Sequence, residues 1–169
     1  MIERHHQDGT RRSSAIYSEC ERYRYALTRV WAAEERRLLY VMLNPSTATE
    51  AQNDPTIERC ERRARALGYG GFRAVNLFAL RETDPVAMRR AERPVGAGND
   101  AALRDGALWA DVVLAAWGVH GTHLGRDAEV LEILRDSGRP LLCLGQTQGG
   151  QPRHPLYVAY ATAPQPFAR

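Results

Sequence analysis

The sequence predicts an α/β protein, a three-layer α/β/α sandwich with a central, mainly parallel four-stranded sheet and an N-terminal edge hairpin. Four short apolar runs, each ended by turn residues, alternate with segments of helical periodicity. No internal repeat or linker divides the 169 residues, a length typical of one domain. We therefore expect a single α/β domain over residues 23–169, preceded by a partly flexible N-terminal extension over residues 1–22.

The first elements follow from alternation, continuous apolarity and helix capping signals. Residues 23–30 alternate as a half-exposed strand does, and the apolar run at 38–43 follows closely, so we expect an edge hairpin. The run at 38–43 is continuously apolar, as in a central strand covered on both faces. Asn44-Pro45 ends this strand, and Asp54 then caps a helix that continues to Gly68.

The remaining elements repeat the strand and helix pattern. Residues 72–78 form the second predicted strand, parallel to the first because a helix separates them. A short helix is expected over residues 84–92, and a longer one is capped by Asn99 and Asp100. The later predictions are a strand at 111–118, a helix at 124–137, a strand at 140–145 and an irregular Gly- and Pro-rich segment at 149–157.

Composition limits the function classes. The net charge is +3, too small to indicate nucleic-acid binding by itself, and all 23 basic residues are arginine. This bias reflects either the base composition of the genome or the match of guanidinium to phosphate. No apolar run approaches a membrane span and the N-terminus lacks a secretory pattern, so we expect a cytoplasmic protein without membrane contact. Three widely spaced cysteines predict reduced thiols, with Cys143 buried in a strand.

The common catalytic motifs of α/β enzymes do not occur in the sequence. It contains neither a phosphate-binding P-loop nor a dinucleotide fingerprint, a nucleophile elbow or a zinc-protease motif. His120 and His123 are three residues apart, but no third metal ligand is evident nearby. We expect neither a metal nor another cofactor, and no obligate protein partner is evident.

Polar segments follow each of the four apolar strands. They occupy residues 44–47, 76–81, 117–123 and 149–157. In open sheets of this class, ligands bind beyond the carboxyl ends of the strands. The sequence therefore predicts a polar site around Asn44, Asn76 and His154.

These segments resemble the motif series of the uracil-DNA glycosylase superfamily. The resemblance lies in Leu43-Asn44-Pro45-Ser46, in residues 75–81, in residues 114–118 ending Trp117-Gly118, and in His154-Pro155-Leu156. Residues 23–160 as a whole resemble the bacterial family of domain of unknown function 1643, which carries no assigned activity. The superfamily resemblance implies a glycosylase-like fold and a DNA substrate.

The same resemblance implies roles for individual residues. Asn44 would position the hydrolytic water, Asn76 would read the edge of a flipped base, and His154 would stabilise the base as it leaves. Leu156 and Tyr157 would fill the gap left in the duplex. The remaining candidates are Phe78, Pro45 and Ser46 for base contact, Arg81 and Arg153 for phosphate contact, and Asn53, Asp54 and Trp117 as further possible site residues.

Two departures from the superfamily leave alternatives open. The last motif is short, with Leu156 directly after His154-Pro155, and no aromatic residue lies between Asn44 and Asp54, so Phe78 or Tyr157 would have to stack on the base. The leading hypothesis is a DNA glycosylase that hydrolyses the N-glycosidic bond of uracil or another deaminated base. The alternatives are a non-catalytic module that binds damaged nucleotides or nucleobases, and a hydrolase of free nucleosides or nucleotides.

Overall fold

The computed structural model describes residues 1–168, which form a mixed α/β fold around one sheet of eight strands. The strand order is β1-β2-β3-β5-β4-β6-β7-β8. The strands are β1 (Ile2–Asp8), β2 (Arg11–Tyr17), β3 (Arg24–Val30), β4 (Arg37–Met42), β5 (Gly71–Asn76), β6 (Val112–Ala115), β7 (Leu141–Cys143) and β8 (Gln165–Pro166). The helices are α1 (Pro55–Ala66), α2 (Pro85–Arg90), α3 (Asn99–Trp109) and α4 (Arg126–Asp136), with 3-10 turns at Val119–Gly125 and Pro155–Tyr157.

The sheet is larger and more antiparallel than the sequence predicted. The pairings β5/β4, β4/β6 and β6/β7 are parallel. The pairings β1/β2, β2/β3, β3/β5 and β7/β8 are antiparallel, so four of the seven pairings within residues 1–168 are antiparallel. The mixed α/β class is confirmed, whereas a mainly parallel sheet of four strands plus a hairpin does not describe the observed sheet.

The predicted edge hairpin between residues 23–30 and 38–43 is wrong. Strand β3 does not pair with β4, because β5 lies between them and is antiparallel to β3. The N-terminal segment predicted as an extension supplies β1 and β2, which continue the sheet beyond β3. Its partial flexibility and the single domain over residues 23–169 stay predictions.

Helices cover both faces of the sheet and create two apolar clusters. On β4, Leu39 and Val41 face one cluster while Leu38 and Tyr40 face the other, as the two-residue period of a strand requires. Helix α1 packs into the second cluster, and α3 and α4 pack into the first. Cys143 is buried in β7 with a free thiol, as predicted. No helix in the described part of the chain is both long and apolar enough to cross a bilayer.

Helix caps differ in how well the sequence predicted them. Asp54 caps α1 as expected, because its side chain accepts a hydrogen bond from the Ile57 N–H. Asn99 does not cap α3, since the cap residue is Gly98 and Asn99 already lies in the first turn. The buried Asn99 Nδ2 instead donates to the carbonyls of Asn76 and Leu77. Asn99 thus fixes the chain where it leaves β5, next to the predicted site.

Candidate functional site

Two pockets lie at the carboxyl ends of the parallel strands. The outer pocket has a volume of about 850 Å³. The inner pocket has a volume of about 40 Å³. Five residues line both pockets, namely Asn44, Ser46, Asp54, Thr56 and His154. The inner pocket is therefore a recess of the outer one.

The inner pocket brings the three predicted residues together. Asn44 follows β4, Asn76 ends β5, and His154 lies in the loop before the last 3-10 turn. All three line the inner pocket, whose walls also include Arg24, Met42, Pro45, Ser46, Asp54, Thr56 and Ile57. Residues that are more than a hundred positions apart in the chain thus share one small polar space.

Asn76 is the most unusual residue of this pocket. Its side chain is 1% exposed, and neither Nδ2 nor Oδ1 has a hydrogen-bond partner among the described residues. Each buried polar atom left unpaired costs about 1–3 kcal/mol, and folded proteins leave few of them. An amide that is both a free donor and a free acceptor at a pocket wall indicates a ligand site.

His154 presents one defined tautomer to the pocket. Its Nδ1 accepts a hydrogen bond of 3.2 Å from the Leu156 N–H, which places the ring proton on Nε2. Burial lowers the pKa of His154 to about 4, although the charge of Asp54 opposes this effect. The imidazole is therefore neutral near pH 7, with Nε2–H as its only donor.

The loop that carries His154 is fixed by a buried polar chain. Trp117 Nε1 donates to Gln151 Oε1 over 2.7 Å, and Gln151 Nε2 donates to Asp127 over 3.1 Å. The Gly118 N–H also bonds the Pro152 carbonyl. Trp117 was predicted as a possible site residue; it lines the outer pocket and anchors this loop at the same time.

Asn44 is held by its own amide group. Its Nδ2 donates to the carbonyl of Glu82 at 2.7 Å and, at longer distances, to those of Pro45 and Leu80. Its Oδ1 has no hydrogen-bond partner within residues 1–168. Asn44 thus offers the pocket an oriented acceptor and no donor.

Asp54 lines both pockets, whereas Asn53 does not. One carboxylate oxygen of Asp54 accepts the Ile57 N–H at 2.9 Å and the other accepts the Ala48 N–H at 3.2 Å. Asn53 is turned away, where its side chain bonds Arg29 and Glu58. Asp54 therefore combines helix capping with a place in the pocket wall.

Sequence reasoning missed Arg24, which lines the inner pocket at the start of β3. The side chain is 2% exposed and burial lowers its pKa to about 10. The alternating pattern of residues 23–30 placed the polar positions of this strand on a solvent face. The alternating pattern therefore did not identify Arg24, because β3 is covered on both faces and every residue from Arg24 to Arg29 is buried.

The other predicted residues divide between the pockets and the rest of the fold. Pro45 and Ser46 line the inner pocket. Arg153, Leu156 and Tyr157 line the outer pocket, where the Tyr157 side chain is 81% exposed.

Besides Asn53, two predicted residues lie outside both pockets. Phe78 is fully buried in the apolar core, with its ring 5.5 Å from that of His123. Arg81 bonds the Glu21 carbonyl and lies over the ring of Tyr17. The structure therefore gives Phe78 no surface on which a base in these pockets could stack.

The two histidines considered as metal ligands also separate. His120 lines the outer pocket, whereas His123 packs on Phe78. In the part of the chain that the structure describes, no three His, Cys, Asp or Glu side chains gather in a way that could hold a metal ion.

Fold and pockets together define a mixed α/β protein with two adjoining pockets at the carboxyl ends of its parallel strands. The chain belongs to the family described as protein of unknown function (DUF1643), whose model matches residues 24–156. Among curated proteins and among solved structures, no significant match to the chain exists. The match begins at β3, so it includes every residue of the inner pocket and leaves β1 and β2 outside.

Proposed function

We propose that the chain is a DNA glycosylase-like hydrolase that cleaves the N-glycosidic bond of uracil or another deaminated base in DNA. The observation that carries the proposal is the unpartnered carboxamide of Asn76, which shares the inner pocket with Asn44 and His154. The resemblance of the motif series to the uracil-DNA glycosylase superfamily supports the same assignment of these three residues.

A nucleobase edge suits the free amide of Asn76. A carboxamide donates and accepts side by side, and a lactam edge of a deaminated base offers the complementary acceptor and donor. A base within a duplex is inaccessible, so it would be extruded into the outer pocket with its polar edge in the inner recess. The outer volume of about 850 Å³ falls in the range of small-molecule sites.

His154 and Asn44 supply the two remaining parts of the reaction. As the bond between base and sugar breaks, its electron pair moves onto the base, and the His154 Nε2–H stabilises the developing oxyanion. Water adds to the sugar carbon and loses a proton, while the departing base gains one. Asn44 Oδ1 accepts a hydrogen bond from this water and orients it, but an amide does not take up the proton.

The rim of the outer pocket fits a nucleic-acid strand. Arg153 and Tyr157 are both exposed there, and Leu156 lies between His154 and Tyr157. Arginine matches phosphate, and an exposed aromatic ring stacks on unpaired bases. These three residues would hold the strand while the target base occupies the pocket.

The experiment is a strand-cleavage assay on labelled oligonucleotides that carry one uracil, hypoxanthine or mismatch, followed by alkali. The wild-type chain should produce abasic sites, and Asn44→Ala and His154→Ala should each lower the rate, by about 10²–10³-fold for His154. His5→Ala is the matched control, because His5 is exposed on β1 and lines neither pocket. Absence of cleavage by the wild-type chain on all substrates would contradict the proposal.

A second candidate is a module that binds damaged nucleotides without cleaving them. The hydrogen bonds that occupy Asn44 Nδ2 favour it, because they give this amide group a structural role in holding the 80–82 loop. This candidate predicts salt-dependent binding of uracil-containing DNA without an abasic product. Indifference to DNA would instead favour a hydrolase of free nucleosides or nucleotides.

A further inference from the structure

Arg24 is a second buried side chain of the inner pocket with unused hydrogen-bonding capacity. It is 2% exposed, and the one hydrogen bond that its side chain makes in residues 1–168 runs from Nη1 to the Ala48 carbonyl at 2.8 Å. Its Nε is fully buried and has no partner among those residues. Every other described arginine that is as deeply buried lies outside both pockets.

The charge of Arg24 restricts what can lie against it. Burial lowers its pKa to about 10, so the guanidinium remains charged near pH 7, with partial compensation from the Asp54 carboxylate. A guanidinium has N–H donors and no acceptor. A group that fills the inner pocket must therefore turn an acceptor, and preferably one with negative character, towards Arg24.

We propose that Arg24 is a specificity-determining contact of the inner pocket, selecting bases that present an oxo group over bases that present an amino group. This inference rests on the proposed base-binding site and adds a residue and a selection rule to it. The oxo oxygen has two lone pairs and accepts from Arg24 and from Asn76 Nδ2, while the adjacent ring N–H donates to Asn76 Oδ1. An amino group places N–H against the N–H donors of Arg24 and leaves them unpaired, whereas the Asn76 amide, which no other bond orients, can pair with either kind of edge.

Calorimetric binding of free bases tests the selection rule without requiring catalysis. The probes are uracil against cytosine and hypoxanthine against adenine, each pair differing at the oxo or amino position. The wild-type chain should bind the oxo member at least about tenfold more tightly, since an unpaired buried donor costs 1–3 kcal/mol. Equal binding within both pairs would overturn the proposal.

Substitution then assigns the preference to Arg24. Arg24→Met fills a similar volume without donors, and it should reduce the oxo-to-amino ratio to near one. Arg126→Met is the matched control: Arg126 is also buried, but it lies outside both pockets, and the Leu77 carbonyl that it bonds keeps its hydrogen bond from Asn99. This control should preserve the wild-type ratio. An unchanged ratio in folded Arg24→Met would overturn the assignment.

A measurement on the wild-type chain covers the case in which Arg24→Met fails to fold. In ¹⁵N-labelled protein, the Arg24 Nε–H resonance is identified as the arginine signal that is missing in Arg24→Lys. This resonance should shift when uracil is added to the wild-type chain. A resonance that does not move with saturating uracil would overturn the contact. Oxo-selective binding without DNA cleavage would contradict the proposed hydrolysis and support this inference, whereas cleavage with an unchanged base preference in Arg24→Met would do the reverse.

Discussion

Substitution of Asn76 should abolish ligand binding without lowering stability, because its buried amide has no hydrogen-bond partner in the described structure. Asn76→Leu is close in volume and removes two unpaired polar atoms. We expect the free energy of unfolding in urea to stay equal or rise by about 1 kcal/mol, while uracil binding and DNA cleavage disappear. A loss of more than about 2 kcal/mol would mean that the amide is paired in solution. Asn99→Leu, which removes an amide with two bonds to carbonyls, is the destabilised comparison.

His154 should make stability depend on pH. Its pKa in the folded chain, lowered by burial to about 4, lies below the value of about 6.5 in the unfolded chain. Between these values the unfolded state binds more protons. The contribution of the neutral His154 ring to the free energy of unfolding is therefore complete above pH 6.5 and is lost as pH falls to 4.

The pH effect of His154 is measurable by difference. Urea unfolding of the wild-type chain and of His154→Gln at pH 7 and pH 4.5 should show that the wild-type chain loses more stability, by roughly 2 kcal/mol. Equal losses in both proteins would show that the ring is protonated freely in the fold. His5→Gln on the exposed strand β1 should behave as the wild type does.

At the residue scale the sequence predicted the parts of the site that follow strands. Asn44, Asn76 and His154 each come where an apolar strand or a loop ends, so local pattern was sufficient to find them. Arg24 belongs to the same pocket only because β3 pairs with β5, a contact between distant segments that no local pattern encodes. Phe78 was assigned to the site because the resemblance calls for an aromatic ring that stacks on the base, but two residues beyond β5 the chain returns into the core.

Helix α1 presents its N-terminal turn to the pockets. Two substitutions of Asp54 separate its role as a helix cap from its place in the pocket wall. Asp54→Ala removes the acceptors for Ile57 N–H and Ala48 N–H and should cost about 1–2 kcal/mol in urea unfolding. Asp54→Asn keeps one oxygen for the Ile57 N–H, loses the acceptor for the Ala48 N–H and removes the charge. We expect it to lose less stability than Asp54→Ala and, if Asn44 orients the water, to retain cleavage. Loss of cleavage in a stable Asp54→Asn variant would assign the water to Asp54 instead.

The turn after β6 depends on close packing against an indole. A Cβ at Gly121 would overlap the ring of Trp117, whose Nε1 bonds Gln151. Gly121→Ala should therefore lower the melting temperature and weaken ligand binding together, because displacing the indole of Trp117 also disturbs the loop that carries His154. Gly149→Ala is a matched substitution in a neighbouring loop with open space, and it should change neither. Unchanged binding in Gly121→Ala would show that the loop adjusts independently of Trp117.

Elements were predictable where burial on both faces leaves a continuous apolar run. Strands β4, β5, β6 and β7 were found for this reason, with ends that the structure shortens by a few residues. Strands β1 and β2 carry many polar residues, so their sequence resembles a loop, and their pairing partners determine their structure. Strand β8 has two residues and is defined by its bonds to β7, which no local pattern predicts.

For the whole molecule, β1 and β2 should contribute very differently to stability. All residues of β1 after Ile2 are exposed, whereas Ala15 and Tyr17 of β2 are buried in the core. Deleting residues 1–9 should thus leave a soluble protein that binds uracil. Deleting residues 1–22 uncovers apolar surface and should lower the melting temperature strongly or cause aggregation. Equal behaviour of both truncations, followed by thermal unfolding and light scattering, would contradict this division.

The two-residue strand β8 has a consequence for how copies of the chain meet. Strand β7 would otherwise end the sheet with unpaired backbone groups, but residues 165–166 and the Phe167 N–H bond its outer side. The opposite border is β1, whose exposed side chains after Ile2 are all charged or polar, so it does not present an apolar edge. An edge strand with unpaired backbone groups and apolar side chains can pair with a strand of another molecule. Residues 165–167 therefore cover the β7 edge of the sheet, and proteolytic cleavage before residue 165 should expose this edge and increase aggregation, as measured by light scattering.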